Sequence, residues 1–115
     1  PIDYSADILI TDWSGVGIEF SLGLNRPTVY FNTKQKIINA NWEFYVNRQG
    51  IEYTYREKFG GVVNDIDELK AVYNNINTNY AKIISGIDVV RSELVYNFGR
   101  SHIKAKNVIL ELIDV

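Results

Sequence analysis

Residues Ala6 to Phe31, ADILITDWSGVGIEFSLGLNRPTVYF, constrain the fold more than any other part of the chain. Ile8-Leu9-Ile10 is a continuous apolar run, the pattern of a parallel strand covered on both faces. Val16 to Leu24 is predicted as a short helix, with Val16, Phe20 and Leu24 turned inward at helical spacing. Gly23 and Asn25 are stop signals, and Pro27 forbids continuation. Thr28-Val29-Tyr30-Phe31 is β-branched and aromatic, so it reads as a second strand. A strand, a crossover of this length and another strand make a right-handed βαβ unit.

The segment from Asn32 to Phe59 is rich in Asn, Lys and aromatic residues and shows no clean period. We expect a long loop with one helical turn near Trp42 to Val46. Such loops in compact domains are often functional. Trp42, Phe44, Tyr45, Tyr53 and Tyr55 either face an acceptor or partner domain or cover the end of the sheet, and the second is favoured. Gly60-Gly61 then leads into Val62-Val63, a short third strand. Asp65 with Glu68 three residues on resembles a capping box. Ile66, Leu69, Tyr73, Ile76, Tyr80 and Ile83 give the following helix an apolar stripe. Asn74, Asn75, Asn77 and Asn79 have poor helix propensity and predict a break there. Gly86 is expected to end the element, with a further helix over Asp88 to Phe98. A last helix, capped by Ser101, is expected through Ile113 with Ile103, Val108, Ile109 and Leu112 inward.

The expected architecture is α/β, with about three short parallel strands and a helical C-terminal tail in a single domain, residues 1–115. Three parallel strands cover themselves poorly. The chain also starts almost directly on a strand without an initiator Met, so we expect a piece of a longer protein. The net charge of -2 offers no basic field for nucleic acid or anionic lipid. Cys is absent, which excludes disulfides and thiolate metal sites. No apolar run approaches the ~18 residues of a membrane span.

The chemistry centres on the turn after the first strand. Ligands of parallel α/β sheets sit at the carboxyl ends of the strands, and Asp12 to Gly17 lies at such an end. Gly15 and Gly17 allow close backbone approach. Ser14 can donate to a phosphate or cap the helix, whose N-terminus carries roughly half a positive charge. Glu19, one turn on, can accept from a pair of sugar hydroxyls. Phosphate plus ribose points to a nucleotide. The plainer alternatives are a capped strand-to-helix turn for Ser14, a turn-former for Asp12 and a solvated acid for Glu19. Trp13 can stack on a base or cover the sheet edge. No Lys completes a Walker-type loop, the glycine spacing is not G-x-G-x-x-G, and no metal cluster or Ser/His/Asp set is evident.

The run ADILITDWSGVGIEF…NRPTVYF resembles the core of the CDP-glycerol glycerophosphotransferase family, of the teichoic-acid polymerase type. The later order also fits: Arg48-Gln49-Gly50-Ile51 with Tyr53 and Tyr55, then Phe59-Gly60-Gly61-Val62-Val63, Asp67-Glu68-Leu69, and a helix after Gly99-Arg100-Ser101. The resemblance implies a partial Rossmann-like fold, the C-terminal donor-binding half of a GT-B architecture, with a partner N-terminal domain of the same chain. It implies transfer of a group from a nucleotide-activated donor, CDP-glycerol or an NDP-sugar, in teichoic-acid or surface-polysaccharide synthesis. It implies that Ser14 and the Gly15 and Val16 amides hold the donor diphosphate, that Glu19 binds the ribose and that Asp12 shapes the turn. No cofactor, metal or nucleic acid follows from it. The parent protein would be cytoplasmic, with peripheral association at the inner face of the membrane.

The chain departs from the family pattern at Gly15, where a second Ser is usual, and at Glu19, where Asp is usual. These differences keep open a UDP-sugar GT-B transferase or a sugar-nucleotide 2-epimerase. A flavodoxin-like or receiver-type interaction domain ranks low, because Asp7 and Asp12 bracket one strand instead of clustering. No catalytic residue is assigned. His102 is read as a surface or capping residue, and Arg48 and Arg56 are weaker candidates for phosphate contact.

Overall fold

The computed structural model describes residues 5–34, Asn41, Phe44 and 50–113. Three strands, β1 (Leu9–Thr11), β2 (Thr28–Phe31) and β3 (Gly60–Val63), form one parallel sheet in the order β1-β2-β3. Leu9 pairs with Thr28, and Thr28 with Gly60, so the three strands start level. Helix α1 (Val16–Leu24) joins β1 to β2. Two one-turn helices, α2 (Ile51–Thr54) and α3 (Arg56–Phe59), precede β3. Helix α4 (Ile66–Leu94) follows it, and α5 (Ser101–Ile113) closes the described chain. The expected α/β class with three parallel strands is therefore present, as is the helical tail. The expected turn at Trp42 to Val46 lies, apart from Phe44, outside the described residues.

The alternation along β2 sets the two apolar clusters. Val29 and Phe31 face one side with Val63, Leu69, Val72 and Ile76. Tyr30 faces the other, with Ile18, Leu22, Phe59, Ile87 and Val90. Helix α4 supplies residues to both clusters: Leu69, Val72, Ile76 and Tyr80 to one, Ile87, Val90 and Leu94 to the other, and Ile83 to both. The helix is interrupted at Asn79, whose φ of -115° and ψ of 22° are not helical. Thr78 donates its hydroxyl back to the Asn74 carbonyl, and Asn79 donates to the Asn75 side chain. Back-bonding of this kind bends helices, and Asn is a poor helix former.

Several sequence expectations need correction. Gly86 does not end a helix; it lies within α4, which runs on to Leu94 and not to Phe98. Burial of Ile87 and Val90 offsets the roughly 1 kcal/mol that an interior glycine costs. Ile66 and Tyr73 of the expected stripe are exposed, and Val72 packs in their place. Helix α1 buries Gly17, Ile18, Phe20, Ser21 and Leu22 instead of a Val16–Phe20–Leu24 stripe. It contacts β1, β2, α3 and α4, so most of its circumference is covered. Among the described residues strand β1 lies at the edge of the sheet with Ile10 exposed, and is not covered on both faces. Helix α5 has its predicted limits, but Ile103, Val108, Ile109 and Leu112 are all exposed. Its amphipathic pattern is present, and no described element buries it.

The helix ends follow local chemistry. Asn25 adopts the left-handed conformation and its N–H reaches the Ser21 carbonyl, closing α1 before Pro27. Asp65 caps α4 by accepting from the Asp67 and Glu68 N–H groups. Glu68 accepts from the N–H of Asn64, one residue before the cap, which shifts the return arm of the capping box by one position.

Candidate functional site

The carboxyl ends of the three strands carry a continuous set of polar contacts. After β1, the Asp12 carboxylate accepts from the Ser14 N–H at 3.0 Å. This Asx turn reverses the chain into α1. After β2, Asn32 donates its side-chain amide to Asn64 at 3.0 Å. Asn64, which follows β3, donates through its own side chain to Glu68 at 2.9 Å. Residues that directly follow parallel strands in level register must meet, and these do.

The expected ligand-holding residues, Asp12, Ser14, Gly15, Val16 and Glu19, are brought together because one strand end and one helical turn carry all of them. Gly15, not Ser14, is the N-cap residue of α1, and it makes no side-chain cap. Ser14 sits one position earlier and accepts from the Val16 N–H at a long 3.4 Å. The Gly17 N–H goes to the Ser14 carbonyl, and those of Ile18 and Glu19 go to the Gly15 carbonyl. Among the described residues, the Gly15 N–H takes no acceptor. The turn thus presents one open and one weakly held backbone donor beside the positive end of α1. Asp12, Ser14, Gly15 and Glu19 are all exposed.

Beside this turn stands a stack of side chains. Trp13 donates its indole N–H to the Thr33 carbonyl at 2.7 Å, which ties the end of β1 to the end of β2. One side of Trp13 meets Tyr53, with ring centroids 5.1 Å apart. The Arg56 guanidinium lies over the Trp13 ring, its carbon 3.5 Å from the centroid, and 5.9 Å from the centroid of Tyr30. The Arg56 Nη2 donates to Asn32 at 3.4 Å, while its Nε and Nη1 are buried without a partner among the described residues. Burial lowers the guanidinium's pKa from its ordinary value, yet an arginine of this kind stays charged.

Tyr30 is also buried, and its hydroxyl has no hydrogen-bond partner among the described residues. Burial pushes the phenol above its ordinary pKa; the nearby Arg56 charge acts against this, and Glu52 adds to it. The hydroxyl lies directly against Gly17, where an added Cβ would come within 2.6 Å of it.

Sequence reading named Trp13, Tyr53 and Arg56 separately and missed their association. Trp13 and Arg56 are 43 positions apart, and no local period links them. Asn32 and Asn64 were legible in principle, as the first residues beyond predicted parallel strands. His102 is exposed near the start of α5. Among the described residues, no three His, Asp or Glu side chains gather as a metal site would require. No described helix is long and apolar enough to cross a membrane.

A groove of about 590 Å³ lies elsewhere, between α3 and α4, where Glu57, Lys58, Asn79, Lys82 and Glu93 line it beside Gly60. It opens at the amino end of β3, the wrong end of a parallel sheet for the chemistry above. The open amide, the cation and the α1 terminus favour the carboxyl end as the candidate site. No curated protein and no solved structure matches the chain. The family model of CDP-glycerol:poly(glycerophosphate) glycerophosphotransferase matches residues 2–111, and the chain belongs to this family of transferases.

Proposed function

We propose that the chain is the donor-binding part of a glycerophosphotransferase of the teichoic-acid or surface-polysaccharide type, and that the Asp12–Glu19 turn receives its nucleotide. The carrying observation is the Gly15 N–H, an open donor at the start of α1 and at the carboxyl edge of the sheet. The Gly15 and Val16 amides would take diphosphate oxygens. Glu19, exposed in the first turn of α1, would accept from the ribose hydroxyls. Asp12 holds the turn through Ser14 and would not touch the ligand.

Transfer from a CDP-glycerol donor breaks the bond between the two phosphates. The acceptor oxygen forms the new bond to phosphorus, and the nucleoside monophosphate departs with the bonding electrons. Fixed N–H donors aimed at that departing charge lower the barrier without reorganising. The chain's role would be to bind the donor and stabilise the leaving phosphate. The base that removes the acceptor proton would come from the GT-B partner domain, and the parent protein would work at the inner face of the membrane.

The test is to titrate CDP-glycerol, CDP and UDP into the 115-residue chain and follow backbone amide shifts. The reading requires the largest shifts at Ser14 to Gly17, with the cytidine ligands binding more tightly than UDP. Shifts confined to other regions, or none at all, would reject the site. A preference for UDP would move the donor to the UDP-sugars.

A further inference from the structure

Charge is the unsolved part of this site. A nucleoside diphosphate brings at least two negative charges, while the end of α1 offers about half a positive one. Asp12 and Glu19 add negative charge at the same turn. A cation is needed, and the turn itself has neither Lys nor Arg.

We propose that Arg56 is the cationic half of the diphosphate site, holding the phosphate that the α1 amides do not reach. This rests on the nucleotide reading above. Four observations carry it. Arg56 is stacked on Trp13, the residue immediately before Ser14, so it belongs to the turn despite its distance in sequence. Its Nε and Nη1 are buried with no acceptor among the described residues, an arrangement that disfavours the site until an acceptor arrives. Its remaining contact, Nη2 to Asn32 at 3.4 Å, is long enough to yield to an anionic oxygen. Tyr30, more than nine-tenths buried, aims a hydroxyl that has no partner among the described residues at the first turn of α1. These three orphaned polar atoms sit on two neighbouring side chains, the guanidinium carbon 5.9 Å from the Tyr30 ring centroid, and share a need for one ligand rich in acceptor oxygens. A planar guanidinium fork matches a phosphate edge and stacks on an indole at the same time, which a lysine ammonium does not.

The experiment compares the intact chain with R56Q and R56K. Inorganic pyrophosphate and CDP are titrated into each, following the Arg56 Nε–H signal and the Gly15 and Val16 amides. Both ligands should move the Arg56 signal together with the two amides. R56Q should weaken CDP binding about ten- to a hundredfold, the worth of a charged hydrogen bond, and R56K should fall between it and the parent. If R56Q does not fold, R56K alone is decisive, because it keeps the charge and loses the fork. Unchanged affinity in both folded variants, with the Gly15 and Val16 amides still moving, overturns the role of Arg56 and leaves the nucleotide site standing. Weakened binding in R56Q without movement of those amides keeps Arg56 as a phosphate holder and removes the α1 turn from the site. Absence of binding in the parent chain overturns both.

Discussion

The Thr28 hydroxyl donates to the Gly17 carbonyl at 3.0 Å and accepts from the Ser21 hydroxyl at 2.8 Å. Thr28 and Ser21 are fully buried, so this relay is dry. It pins the first turn of α1 to the first residue of β2, and hence fixes the height at which Gly15 and Val16 stand over the sheet edge. Removing the hydroxyl takes a second donor from the Gly17 carbonyl and leaves the buried Ser21 hydroxyl without its acceptor. T28V, nearly isosteric, should lose about 1–3 kcal/mol of stability, and T28S should keep most of it. Urea unfolding of the three proteins measures the difference; a T28V midpoint equal to that of the parent would remove the relay from the account.

The two glycines of the turn should respond in opposite directions. Gly15 has φ of -59°, and a Cβ there would meet nothing within 4 Å. G15A should therefore stabilise by about 0.4–1 kcal/mol, by limiting the unfolded chain. Gly17 is different, because its Cβ would press on Tyr30 ring atoms at 2.8 Å as well as on the hydroxyl. The ring is buried and cannot swing away, so G17A should cost about 1–3 kcal/mol. Paired thermal melts of the two variants check the opposite signs.

Helix α4 depends on a start signal that lies close to the polar network of the sheet edge. Asp65 caps two N–H groups, and Glu68 accepts from Asn64, which in turn accepts from Asn32. D65A should lose about 0.5–2 kcal/mol. E68Q, which keeps an acceptor oxygen, should be milder. Amide exchange at Asp67 and Glu68 should quicken in D65A and stay near the parent rate in E68Q.

What the sequence revealed and concealed follows from range. The βαβ unit was legible because Ile8 to Ile10, Asn25, Pro27 and Thr28 to Phe31 each act within a few positions of themselves. The weakness at Asn74 to Asn79 was legible for the same reason. Gly86 was misread because the burial of its neighbours Ile87 and Val90 against α1 and Tyr30, a tertiary matter, outweighs its local preference. Helices α2 and α3 are four residues each, too short to show a period. The stripe of α5 was visible, but a stripe says that a face can be buried, not what buries it. In the candidate site, Asp12 to Glu19 formed a local pattern, whereas Arg56 was legible only as a weaker candidate for phosphate contact, and its stacking on Trp13 is one that no spacing rule predicts.

Tyr30 should make the fold sensitive to alkali in a way that one methyl-scale change removes. Its buried phenol resists ionisation, so its pKa in the folded chain is above the ordinary value. The unfolded chain releases that proton near pH 10. From there upward the unfolded state binds fewer protons than the folded state, and stability falls as pH rises, by up to about 1.4 kcal/mol per pH unit. Below pH 9 both states hold the proton and this residue contributes no slope. Y30F removes the ionisation and also the orphaned hydroxyl, so it should equal or exceed the parent at pH 8. Its advantage should then widen steadily from pH 10 to 11. Urea midpoints for both proteins across that range read the difference directly, since every other titrating group is shared; a constant gap would mean that the phenol ionises as readily in the folded chain as in the unfolded one.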